Sequence, residues 1–238
     1  DFFMCVFTGT DRLHHFLWSH YEEGHPVYQA EFLRYYQRLD EIVGEFVEEL
    51  PADLPLFMLS DHGFCSVRTE IYVNELLREK GLLSYAKEKP LMLADIDPLK
   101  TRAYCMDPGR IYLNLKGREP EGIVSLDEAG PLLEELATLF LELEDPGSGK
   151  LVTERVARGG ETYFGEQTQL GPDLIVVPRD GYDLKGTMSK QTLAGRGLNQ
   201  GMHTRDDAMV LAESRFNDVD HWHIRDLAAR IISAVESE

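Results

Sequence analysis

Between Val27 and Leu50, apolar side chains recur at Phe32, Tyr35, Tyr36, Leu39, Ile42, Val43, Phe46, Val47 and Leu50. This i, i+3, i+4, i+7 pattern predicts one long amphipathic helix, closed by Pro51 and Pro55. The flanking segments are patterned differently. Phe2 to Phe7 is apolar at every position, as expected of a strand covered on both faces, and Leu56 to Leu59 reads the same way before Ser60-Asp61-His62-Gly63. Strand, helix, strand in this order predicts two parallel strands joined by a right-handed crossover. The segments that follow the two strands, around Asp11 and Asp61, then leave the same end of the sheet, where open α/β sheets bind ligands.

Further along, a helix is expected from Val73 to Lys80 with Gly81 as its C-terminal glycine. Arg102 to Met106 and Arg110 to Leu115 form a hairpin around Asp107-Pro108-Gly109, and Ser125-x-x-Glu128 is a capping box that opens a helix running to about Leu143 despite Pro131. Asp173 to Val177 has the buried-strand pattern again and is assigned to the main sheet. A polar, Gly-rich loop from Leu193 to Gly201 leads to Met202-His203, followed by a short strand from Ala208 to Ala212 and a terminal helix from His223 to Glu236. The expected fold class is α/β, a mainly parallel sheet flanked by helices. Residues 1–89 and 166–238 make its core, and residues 90–165 a small α+β insertion or cap. No internal repeat or low-complexity segment is present.

At 238 residues the chain suits one large domain or a core with a subdomain, and its 43% hydrophobic and 28% charged residues are those of a soluble globular protein. A net charge of -18 argues against nucleic acid or an anionic membrane as a stable partner. An anionic substrate needs local cations to counter that field, and bound divalent metals supply them. No apolar run reaches the roughly 18 residues of a membrane span, and no signal segment opens the chain, so a cytoplasmic protein is the expectation. Cys5, Cys65 and Cys105 are odd in number and lack CxxC spacing, which reads as buried free thiols. The chain enters an apolar segment directly after Asp1, with none of the slack usual before a first core element, and reads as a piece of a longer polypeptide. Strand edges and apolar surface left bare in such a piece predict a homodimer or larger species.

Five residues are candidate metal ligands: Asp11, His15, Asp61, His62 and His203. If Thr10 or Asp11 caps a helix, Asp11 and His15 fall within one turn on one face and can share an ion. Carboxylate and imidazole ligands without cysteine suit zinc, manganese or iron, and one carboxylate with two imidazoles leaves a fourth position open, as catalytic zinc sites do. Each residue also has a plain structural explanation. Asp11 can be a helix cap, Asp61-His62-Gly63 a polar turn, and His203 a loop histidine. His221 and His223 form an H-x-H around Trp222 at a helix start and are assigned a structural role.

Taken in order, Asp11-x-x-x-His15, Asp61-His62-Gly63 and Gly201-x-His203 resemble the metal motifs of the alkaline phosphatase superfamily, in particular its type I phosphodiesterase/nucleotide pyrophosphatase branch. The runs Thr10 to Phe16, Ser60 to Phe64, Tyr72 to Leu76, Asn114 to Pro120 and Pro172 to Val176 resemble bacterial and archaeal proteins described as predicted phosphohydrolases or phosphomutases of that superfamily. The resemblance spans nearly the whole chain. It implies an alkaline phosphatase-like core and two divalent metals, zinc first and manganese second. Asp11, His15 and His203 would hold one metal, and Asp61 and His62 part of the other. It also implies a further aspartate and a Ser or Thr nucleophile N-terminal to the Asp11 motif, and neither can be placed here, because Thr8 and Thr10 lie in the wrong order and context. The sequence thus resembles the C-terminal portion of a hydrolase acting on a phosphorylated small molecule, and this portion is expected to be nearly inactive by itself. A phosphomutase of the same superfamily is one alternative, and a non-catalytic metal-binding or oligomerisation module is another. Leu227-Ala228-Ala229 stands where a Pro-Thr dipeptide often precedes the last helix, a departure that bears on packing more than chemistry.

Overall fold

The computed structural model describes residues 2–51, 54–190, 192–212 and 222–236. In chain order the elements are α1 (Thr8–Glu22), α2 (Tyr28–Glu49), β1 (Phe57–Leu59), β2 (Gly63–Ser66), β3 (Thr69–Tyr72), α3 (Val73–Glu79), β4 (Ala103–Asp107), β5 (Arg110–Leu113) and α4 (Leu126–Leu141). There follow β6 (Thr153–Arg158), α5 (Gly159–Thr162), β7 (Leu174–Pro178), β8 (Tyr182–Lys185), β9 (Ala194–Gly195), β10 (Gly201–Thr204), β11 (Val210–Ala212) and α6 (Ile224–Glu236). They belong to two compact units, one drawn from Asp1–Ser66 and Leu198–Glu238, the other from Val67–Gly197. No described helix is long and apolar enough to cross a membrane.

The fold is mixed α/β, but its sheets are mostly antiparallel, and the mainly parallel sheet expected from the sequence is not what these residues form. Phe2 to Phe7 pairs with no described strand, and its side chains are largely exposed, Phe3 at 76%. A strand apolar on both faces needs neighbours at both edges and cover above and below, and no described element provides them. Cys5 is accordingly exposed rather than a buried thiol, while Cys105 is buried. β1 pairs antiparallel with β11, Leu59 opposite Val210, so the expected parallel crossover is absent as well. β7 lies between β5 and β6, antiparallel to both, instead of joining a main sheet with Phe2 to Phe7. An apolar run reports burial on two faces but says nothing about which strands lie beside it.

Local signals fared better. α2 spans nearly the whole periodic stretch and ends before Pro51. Gly81 follows α3 with φ of 71°, the left-handed conformation a helix-terminating glycine adopts at little cost. β4 and β5 form the expected hairpin. At the start of α4 the Glu128 carboxylate accepts from the Ser125 backbone N–H at 2.9 Å and from its hydroxyl at 2.6 Å.

The unit Val67–Gly197 has a continuous apolar core. Leu132, Leu136 and Phe140, on one face of α4, are sealed within it together with Ile111, Leu113 and Leu174. Asn74, itself fully buried, binds both backbone groups of Cys105 at 2.7 Å and the Gly186 carbonyl at 2.7 Å, tying α3 to β4. The other unit is held by an aromatic cluster where α1 meets α2. The His14 ring stacks on Phe32 at 5.3 Å and meets Phe64 edge-on at 4.6 Å, and Trp18 lies against both phenylalanines.

Candidate metal centre

The centre is built within one unit from α1, the residues just before β2, and β10. Thr8 opens α1, so Asp11 lies in its first turn and not at its cap, while Thr10 donates its hydroxyl to the Phe7 carbonyl at 2.8 Å. Asp11 and His15 remain one turn apart on one face, as the spacing requires. β10 then pairs antiparallel with β2, His203 opposite Phe64 and Thr204 opposite Gly63. That register puts His203 diagonal to His62 on the same side of the ribbon, within reach of long side chains. The two imidazoles stack with centroids 3.7 Å apart and planes 21° apart.

β10 lies directly on α1. Gln200 donates its backbone N–H to the His15 carbonyl at 2.6 Å, and Ser19 donates its hydroxyl to the Gln200 side-chain oxygen at 2.9 Å. Gly201 permits this approach, because a Cβ there would meet the His14 carbonyl oxygen at 2.4 Å and the Trp18 Cβ at 2.7 Å. The Gly201 carbonyl is 3.0 Å from His15 Nδ1, and a carbonyl can only accept, so Nδ1 carries the proton and Nε2 presents a lone pair. His62 Nδ1 is likewise 3.2 Å from the Gly63 carbonyl, which leaves its Nε2 as an acceptor.

These acceptors converge on the Asp11 carboxylate. Asp11 Oδ1 is 3.1 Å from His203 Nε2, 3.5 Å from His15 Nε2 and 3.8 Å from His62 Nε2, and the His203 and His15 Nε2 atoms are 3.0 Å apart. Asp61 lies at the margin, its side chain 78% exposed and its Oδ1 3.5 Å from His62 Nε2. Asp11, His15 and His203 form a group able to hold a metal ion. Four-coordinate zinc with ligands at about 2.0 to 2.1 Å puts neighbouring ligand atoms about 3.3 Å apart, and the three edges of this triangle fall around that value. The donor set and its spacing therefore fit a divalent ion, and the Gly201 carbonyl on His15 is the outer partner that orients such ligands. The His203 imidazole is held below its ordinary pKa by burial first and then by its neighbours His62 and His15, with Asp11 acting the other way.

His14, which sequence reasoning left out, stands directly behind the ligands. Burial lowers its pKa to about 4, with His62 and His15 adding to the effect and Asp11 opposing it, so the ring is neutral near pH 7. Its Nε2 lies 2.6 Å from the Tyr36 hydroxyl. The adjacent His14-His15 pair was the available signal, since neighbours on a helix must point in different directions and only one could share a face with Asp11. Of the H-x-H near the terminus, His223 is exposed ahead of α6 and belongs to no metal-competent group among the described residues, and His221 lies outside them.

A carboxylate and an imidazole on α1 thus face an imidazole of β10, a group that could hold a divalent cation through oxygen and nitrogen, with the His62 imidazole beside it just ahead of β2. Residues 1–206 match the family model described as Type I phosphodiesterase / nucleotide pyrophosphatase, and the chain belongs to that family. Membership brings phosphoric ester hydrolysis as the general activity, in a family that is generally metal-dependent and consistent with the alkaline phosphatase superfamily. Comparison with curated proteins gave no match, and neither did comparison with solved structures.

Proposed function

We propose that the chain is the metal-binding part of a divalent-metal-dependent phosphodiesterase, nucleotide pyrophosphatase or phosphatase acting on a phosphorylated small molecule. In this reading Asp11, His15 and His203 hold one ion, zinc by preference and manganese as the second choice, and Asp61 and His62 contribute to another. The observation that carries it is the meeting of Asp11 Oδ1, His15 Nε2 and His203 Nε2 within 3.5 Å of one another, with His15 fixed in the lone-pair-presenting tautomer. When bound, the metals supply Lewis acidity that counters charge on the phosphoryl oxygens.

The protein's own part is to hold and orient. The Gly201 and Gly63 carbonyls keep the Nδ1 protons of His15 and His62 in place, and neutral His14, hydrogen-bonded to Tyr36, buttresses the ligand face without adding charge. Of the hydroxyls flanking the ligands in sequence, Ser60 Oγ accepts from the Met209 N–H at 2.8 Å, Thr10 donates to Phe7 and Thr204 donates to Asp207. The family's motif order is what would place the nucleophilic Ser or Thr N-terminal to the Asp11 motif, in a complete enzyme with an alkaline phosphatase-like core.

Two measurements test the reading. Metal content and zinc affinity of the chain and of His203→Ala should differ, and equal retention by both would sink the ligand assignment. A chromogenic phosphodiester, assayed with added zinc or manganese, should be turned over by the longer protein, far less by its Asp61→Ala variant, and hardly at all by this chain; rapid turnover by the chain would place the nucleophile within it. The homodimer belongs to the same reading, and sedimentation at high concentration giving a strict monomer would remove it.

A further inference from the structure

The unit Val67–Gly197 contains a second concave site, to which none of the metal-centre residues contributes. It is a cleft of about 310 Å³ lined by Arg68, Lys150, Leu151, Arg179, Asp180 and Tyr182. Three separate turns each give it one cation. Arg68 precedes β3, Lys150 ends the turn that begins at Asp145, and Arg179 lies between β7 and β8.

Backbone bonds lock these turns to one another. The Arg68 N–H donates to the Gly181 carbonyl at 2.7 Å, that of Arg179 to Val152 at 2.8 Å, and that of Asp145 to Lys150 at 2.8 Å. The buried Asp145 carboxylate accepts from the Ser148 hydroxyl at 2.6 Å and the Gly147 N–H at 3.0 Å, which closes the turn carrying Lys150. Gly181 has φ of 90°, and a Cβ there would meet the Arg68 Cγ and Cδ at 2.9 Å. The stem of Arg68 thus lies against bare backbone, and the position needs glycine both for its conformation and for this contact.

The convergence of three cations on one cleft is what it offers an anion. In this acidic chain Arg34, Arg38, Arg78, Lys87, Lys100, Arg118, Arg158 and Lys185 have carboxylate partners, while others outside the cleft, such as Arg12, Lys80 and Arg155, have none among the described residues. Among the described residues none is paired with Arg68, Lys150 or Arg179, although the chain carries 42 acidic side chains against 24 basic ones. Asp180 is the single carboxylate in the lining, and three cations outweigh it. Guanidinium forks match phosphate oxygens two at a time, and an ammonium adds a point charge. A volume near 310 Å³ lies at the small end of ligand sites and is enough for a pyrophosphate-sized group.

We infer that this cleft binds a small polyanion of the phosphate class, pyrophosphate being the simplest example, at a site separate from the metal centre. The test is calorimetric titration of pyrophosphate into the full chain at low ionic strength, in a His203→Ala background so that the proposed metal centre does not contribute. One saturable site is expected. Arg68→Gln and Arg179→Gln should each weaken it about tenfold or more, as loss of a hydrogen bond to a charged group does. Arg155→Gln, an exposed and unpaired arginine of β6 outside the cleft, should leave it unchanged. All three glutamines keep the stem and sit at exposed positions, and circular dichroism would verify their folding. Absence of saturation at roughly 10 mM pyrophosphate, or equal weakening by Arg155→Gln, would overturn the assignment.

Discussion

Gly201→Ala is the most informative single change at the metal centre. Its new methyl would sit 2.4 Å from the His14 carbonyl oxygen, where ordinary contact begins near 3.4 Å, so β10 must withdraw from α1 by about 1 Å. Two bonds cannot survive that movement: Gln200 N–H to the His15 carbonyl, now 2.6 Å, and His15 Nδ1 to the Gly201 carbonyl, now 3.0 Å. Overpacking of this kind costs roughly 1 to 3 kcal/mol and each lost bond about 1 kcal/mol, so destabilisation of about 3 kcal/mol is expected. His15 also loses the partner that fixes its tautomer, and metal affinity should fall about 10- to 100-fold. Gly44→Ala is the matched control, since it lies inside α2 with nothing within 4 Å of its would-be Cβ and should stabilise by about 0.5 to 1 kcal/mol. The chain has only two tryptophans, Trp18 and Trp222, both in this unit, so urea unfolding followed by tryptophan fluorescence reads the right part of the molecule. Competition with a chromogenic chelator gives the metal affinity. A Gly201→Ala protein within about 0.5 kcal/mol of wild type and with unchanged zinc affinity would refute the close-approach argument.

Three further outcomes are expected. Asn74→Ala strips partners from both backbone groups of Cys105 and from the Gly186 carbonyl in a dry interior, and should cost about 3 kcal/mol or more in urea unfolding; a loss under about 1 kcal/mol would show that these groups find other partners. Arg118 grips Asp173 with two bonds of 2.9 and 2.7 Å, and Arg118→Met, which leaves that half-buried carboxylate without its cation, should destabilise by about 2 to 4 kcal/mol, whereas an unchanged midpoint would mark the pair as decorative. The Asp145 carboxyl is held below its ordinary pKa, first by the Ser148 hydroxyl and also by the Gly147 N–H and the Thr69 and Tyr182 hydroxyls, with burial working against them. Its contribution is therefore complete above the unfolded-state carboxylate pKa and is lost as pH falls through the lower folded value; Asp145→Asn should flatten that acid limb, and an identical pH profile would exclude the linkage.

What could be read from the sequence was local. The period of α2, the Gly81 terminus, the Ser125-Glu128 box and the turn between β4 and β5 are all written within a few residues of where they act. The Asp11-His15 pair belongs with them, since four residues on a helix is itself a geometric statement. Strand partners are not written that way. Phe2 to Phe7 and Asp173 to Val177 share one apolar pattern, yet the first is exposed and unpaired among the described residues and the second lies between two antiparallel neighbours. The link from His62 to His203 came only through resemblance of ordered motifs, because an antiparallel register between residues so far apart leaves no local trace. The reason for glycine at position 201 was equally hidden, for it lies in the His14 backbone and the Trp18 side chain across the gap and not in the neighbours of Gly201 itself.

The pairing of Ser66 with Gly201 has a consequence for the order in which the molecule assembles. The chain departs from one strand at Ser66 and returns to its neighbour only after the whole of Val67–Gly197 has been made. During synthesis Asp11, His15, Asp61 and His62 emerge first and wait without His203. Bringing the two ends together across a disordered segment of that length would cost about 4 kcal/mol in chain entropy, but a segment that has already folded on its own core holds its ends in place and reduces that cost. The ligand triangle can thus close only after Val67–Gly197 has been made, and a metal ion arriving earlier would meet only part of its cage.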